Sequence, residues 1–109
     1  MIIKEKIEND KLNKIFEESY GTMVKLVVDI EKEILSVGYD FHMECAEELT
    51  EKENSHQKNL WGANLYEDGS IDFISLINIK PLENNRSMEI RDSVVKKKIE
   101  DIIKKLLCK

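Results

Sequence analysis

A chain of 109 residues, 41% hydrophobic and 36% charged, holds enough apolar mass for one core and enough charge to keep it in solution, so one domain over 1–109 is expected. A net charge of −5 and a pI near 5.1 disfavour nucleic acid as a partner, because phosphate binding asks for a basic surface. No apolar run approaches the ~18 residues of a membrane span, and the N-terminal stretch turns charged after Ile3, so neither a membrane segment nor a signal peptide is expected. Cys45 and Cys108 stand far apart in no CxxC arrangement. They read as reduced thiols of a cytoplasmic protein.

In chain order, residues 2–7 fit a short first strand. A helix follows over about 10–20, with Asn9 or Asp10 as its cap, Leu12, Ile15 and Phe16 on its apolar face, and Gly21 where a left-handed residue would end it. Residues 23–30 and 33–38 alternate and are rich in β-branched side chains, which predicts an antiparallel pair joined by a turn at Glu31 and Lys32. Residues 39–58 are acidic and carry no sustained apolar period. Met43 to Leu49 fits a short helix, but the rest reads as a long loop, and such loops often serve function.

Leu60 to Tyr66 and Ser70 to Ile79 flank Asp68-Gly69, a strong hairpin signal, and Pro81 stops the second strand. Val95, Ile99, Ile102, Ile103 and Leu106 then form one helical stripe with lysines opposite, over about 93–107, capped by Asp92 or Ser93. The expected fold is α+β: a mainly antiparallel sheet of about five strands, with helices 10–20 and 93–107 packed on one face.

Closing the hairpin with a two-residue Asp68-Gly69 turn pairs Tyr66 with Ile71 and Asn64 with Phe73, and sets Asn59 opposite Asn78 at the open end. His56, Trp61, Asn85, Arg86 and Ser87 then gather at the same end. Placed polar groups beside an aromatic are what a pocket looks like, and the Arg86 guanidinium suits a small anionic ligand. The plainer alternative is that these asparagines tie down their own loops and Arg86 pairs with surface carboxylates.

His42, Glu44, Cys45 and His56 are the residues able to bind metal, yet their spacing matches no standard zinc pattern, so no metal and no cofactor is expected. Cys45 with His42 or His56 is the sole thiol–imidazole combination, and nothing in their spacing supplies the geometry that nucleophilic catalysis needs.

Leu60-Trp61-Gly62-x-Asn64-Leu65-Tyr66, Ile77-Asn78-Ile79-x-Pro81 and Asn85-Arg86-Ser87, together with His42 and the strand from Met23 to Asp29, resemble a family of small microbial proteins classed as a domain of unknown function. Lys80 stands where that pattern has Arg, and Asn84 where it has Gly, which weakens a rigid anion site. The resemblance implies no activity. The leading expectation is a ligand-binding or interaction module with a polar site at the open end of the 60–79 hairpin. The alternatives are a small hydrolase using His42 or His56 with a carboxylate or metal, and a homo-oligomer, such as a homodimer, pairing through an exposed edge at 2–7 or 33–38.

Overall fold

A computed structural model describes residues 1–107, so Cys108 and the expectation of a free thiol there lie outside the described residues. Five antiparallel strands form one sheet: β1 (Ile2–Ile3), β2 (Met23–Asp29), β3 (Ile34–Val37), β4 (Leu60–Tyr66) and β5 (Ile71–Asp72), in the order β1-β3-β2-β4-β5. Three α-helices accompany them: α1 (Asn9–Glu18), α2 (His42–Glu53) and α3 (Ser93–Leu107). The α+β class is confirmed. Among the described residues, no helix is long and apolar enough to cross a membrane.

Alternation along β2 and β4 sorts side chains onto two faces. Val24, Leu26 and Val28 join Leu35, Trp61, Ala63 and Leu65 on one, where α1 brings Ile15 and Phe16 and α3 brings Ile99, Ile102, Ile103 and Leu106. Those two helices share that face, as the sequence predicts. Asp92 caps α3 by accepting the Val94 and Val95 N–H groups at 2.8 and 3.3 Å. Gly21, at φ +82°, turns the chain out of α1 and donates its N–H to the Phe16 carbonyl. No side chain caps the start of α1, which follows Glu8 rather than Asn9 or Asp10.

The opposite face carries the main departure from expectation. Helix α2 takes in the short helix expected at Met43 to Leu49 and continues to Glu53 through part of the expected loop, laying Cys45, Ala46 and Leu49 on Val27, Ile34 and Leu60. Only three of its side chains are buried, so its apolar stripe is narrow. The helix is fixed at both ends instead: Glu44 accepts the Phe41 N–H at its start, and Asn54 takes the left-handed conformation (φ 55°) at its end. Below it, the Glu48 carboxylate accepts from Ser36 (2.7 Å) and Tyr39 (3.0 Å) and pairs with the α-amino group of Met1 (3.0 Å).

Two connections also differ. The β2–β3 turn is a four-residue loop organised by buried Asp29, which accepts the Glu31 and Lys32 N–H groups and the Ser55 hydroxyl. The β4–β5 loop holds three residues, Glu67, Asp68 and Gly69, with Gly69 at φ +92° and Tyr66 donating its N–H to the Ser70 carbonyl. That extra residue shifts the register by one: Leu65 pairs with Ile71 and Asn64 with Asp72. Asn59 therefore does not face Asn78. Strand β3 lies inside the sheet and the edges are the two-residue β1 and β5, so 33–38 offers no free edge for a partner.

Candidate functional site

Beyond Asp72 the chain leaves the sheet because β4 carries no side chain at position 62. A Cβ on Gly62 would sit 2.6 Å from the Ser75 Cβ and 2.7 Å from its Oγ, so only glycine lets the 74–78 segment cross the strand this closely. Where β5 would have paired, Asn78 substitutes its side chain. Its Oδ1 accepts the Gly62 N–H at 2.7 Å, and its Nδ2 lies 3.0 Å from the Gly62 carbonyl and 3.2 Å from those of Phe73 and Met88. Asn85 repeats the device one turn later. It donates to the carbonyls of Asn78, Ser87 and Glu89 and accepts the Arg91 N–H. Both amides are buried and spent on backbone groups that would otherwise be unsatisfied.

The other residues singled out in the sequence are dispersed around them. Lys80 and Asn85 close a tight turn, and the Lys80 ammonium, 2.8 Å from the Gln57 carbonyl and 5.5 Å from the centre of the Trp61 ring, brings that turn beside residues 57–59. Asn84 in the turn has φ 60°, a left-handed conformation that Gly or Asn adopts at least cost. Asn59, however, donates to Glu31, Ser87 accepts the Glu89 N–H, His56 and Arg86 are exposed, and Trp61 is packed in the α1/α3 core.

His42 alone enters a concavity. It stands at the first turn of α2, and its ring reaches across to β4. Nε2 lies 3.0 Å from both the Ala63 carbonyl oxygen and the Asn64 Oδ1. Both are acceptors, so Nε2 carries the proton. The Asn64 amide cannot be reversed, because its Nδ2 donates to Asp72 (2.7 Å) and to the Ile74 carbonyl (3.3 Å). Tyr66 in turn holds the second Asp72 oxygen at 2.6 Å. Burial, reinforced by the charge of Lys25, pushes the imidazole below its ordinary pKa of 6.5 against the opposing pull of its hydrogen bonds and Asp72. The ring is neutral at pH 7 and fixed in one tautomer.

Around it runs a groove of about 540 Å³ between α2 and the 74–88 segment, floored by Met23, Lys25 and Asn64. Its rim is apolar and exposed, with Phe41 64%, Met43 62% and Leu76 70% accessible, and Ile74 and Met88 beside them. The Lys25 ammonium is held 5.6 Å from the ring centres of both Tyr20 and Phe41. Glu44 and Glu47 stand at the α2 side. A depression of about 470 Å³ over α3 is lined by Lys97, Lys98 and Lys105 and is the solvated face of an amphipathic helix.

The structure gives thiol–imidazole chemistry no more support than the sequence does. Cys45 is buried under α2, and burial pushes its thiol up to about 11, which leaves it protonated at neutral pH. Among the described residues, no group of three or more His, Cys, Asp or Glu side chains is placed to hold a metal ion.

The sequence profile of DUF5674, described as a protein of unknown function, matches residues 1–106. The chain belongs to the DUF5674 family. No curated protein and no solved structure matches it.

Proposed function

We propose that this protein is a small-molecule-binding module and that its site is the groove between α2 and residues 74–88. The observation that carries this is the single oriented imidazole of His42 set among apolar side chains. Ligand sites have this character, roughly 300–1,000 Å³ of mostly apolar surface with a few placed polar groups. His42 is the recognition residue in this reading, with Asn64 and Asp72 positioning it. Asn78, Asn85 and Ser87 hold the groove's outer wall, and Asn59, His56, Trp61 and Arg86 take no direct part. Binding is favoured over hydrolysis because, among the described residues, the hydrogen bonds of the His42 ring go to the Ala63 carbonyl and the Asn64 amide, and none is made with a hydroxyl, thiol or carboxylate.

The test is protein-observed NMR with a set of small neutral aromatic fragments, on the native chain and on Met88→Arg. Fragment-induced shifts should cluster on Met23, His42, Ser75 and Ile77 and fall away in the variant. Shifts scattered over other surfaces, or unchanged by Met88→Arg, would overturn the assignment.

A further inference from the structure

Resting on that assignment, we infer that the groove takes a neutral aromatic ligand presenting an N–H donor, and that His42 Nδ1 is the atom that accepts it. The ring's orientation supplies the first part of the case. Nε2 is held against β4 by Ala63 and Asn64, and Cδ2 lies 3.3 Å from the position a Gly62 Cβ would occupy. In an imidazole the atom opposite the Nε2–Cδ2 bond is Nδ1. It therefore points away from the sheet into the groove, deprotonated, because the single proton of the neutral ring is fixed on Nε2. A ligand group that only accepts hydrogen bonds finds no donor on this atom, and one that donates finds a lone pair in an apolar setting.

The walls supply the second part. The chain has four methionines, and three of them, Met23, Met43 and Met88, line the groove with Phe41. Thioethers are polarisable and pack favourably against ring edges, so this lining suits a flat aromatic better than an aliphatic chain. Charge argues for a neutral ligand. Lys25, Glu44 and Glu47 all line the groove, so a charged ligand of either sign meets a like charge as well as an opposite one, and a neutral ligand meets neither penalty.

Protonation is the consequence that can be measured. Lys25 on β2, Glu44 and Glu47 on α2, and Asp72 on β5 are the charged groups around the ring. When His42 takes its second proton it does so on Nδ1, and the acceptor disappears.

Indole and 1-benzothiophene make the test, since they match in shape and only indole carries an N–H. At a pH where NMR shows His42 neutral, indole should bind about fivefold more tightly, the worth of one neutral hydrogen bond, with a change in the His42 Nδ1 nitrogen shift that 1-benzothiophene does not cause. At a pH where His42 is protonated the preference should vanish. Equal affinities with both probes mapped to the groove would overturn the donor inference and leave the binding reading standing. Failure of both probes to reach the groove would sink the two together.

Discussion

The two faces of the sheet are built on different principles. Under α1 and α3 the surface is apolar throughout, and order comes from burial: Leu26, Leu35, Leu65, Ile99, Ile103 and Leu106 are all at most 1% exposed. Under α2 only half the face is covered, by three buried helix residues, and the remainder is organised by polar side chains: Asn64, Asp72, Asn78 and Asn85. The first face is a core whose shape follows from hydrophobic contact. The second holds an opening, because the groups that shape it are satisfied by hydrogen bonds and need no lid. The groove lies where the second principle replaces the first.

Truncation should separate them. Ile103→Ala leaves a cavity in the covered face and should cost about 2–5 kcal/mol by denaturant unfolding, with the groove's NMR signals unchanged under native conditions. Asn78→Ala removes no apolar core side chain but strands buried backbone groups of Gly62, Phe73 and Met88, at about 1–3 kcal/mol. Its signature should be local: faster amide exchange over 73–88 than over α3. A uniform loss across both faces would show that the two are not separable. Gly62→Ala, by forcing Ser75 away from β4, should cost about 1–3 kcal/mol and displace the groove wall. Ser75→Gly in the same chain should restore part of that loss, which a purely conformational effect at position 62 would not allow.

How far each face could be read from the sequence follows the same division. The stripe from Val95 to Leu106 and the alternation of 23–30 are consequences of contact with a large apolar surface, so periodicity reveals them directly. Helix α2 contacts half a face, so Cys45, Ala46 and Leu49 leave too short a stripe to count, and its real markers, Glu44 at the start and Asn54 at the end, are single residues. The hairpin signal was sound, but Asp68-Gly69 belongs to a three-residue loop, and one residue of register moves Asn64 from Phe73 to Asp72. The second strand also ends at Asp72 instead of running to Ile79, which takes Asn78 off the sheet and dissolves the polar cluster expected with Asn59 and Arg86. Gly62, Asn64, Asn78 and Asn85 stood out in the sequence as a pattern, yet their bonds to backbone are invisible to it. His42 was legible as a residue of interest, though not as the reader of a groove.

Acid should distinguish the faces next, since both titratable devices lie on the α2 side. His42 has its pKa lowered in the folded state, so the stability it contributes is present above about 6.5 and is lost as pH falls through its folded value. For Glu48, burial alone would raise the carboxyl, but hydrogen bonds from Ser36, the α-amino group and Tyr39 outweigh it and hold it below 4.5. Its contribution is present above that pH and fades further into acid. Melting temperature should therefore decline in two stages, the first of them reduced in His42→Gln. An unchanged first stage would place the titrating group elsewhere.

The smallest effect on stability belongs to the rim. Leu76 is 70% exposed and gives the fold almost nothing, so Leu76→Ser should alter unfolding by no more than about 0.5 kcal/mol. If the rim exists for a ligand, the same substitution should weaken indole binding measurably, since the lost area is buried only in the complex. That pairing of near-zero stability change with lost affinity is the opposite of Ile103→Ala, which should unfold more easily and bind as before. A Leu76→Ser chain that lost stability instead would mean that the 74–88 segment closes over the sheet in solution. The half-covered face would then be a second core.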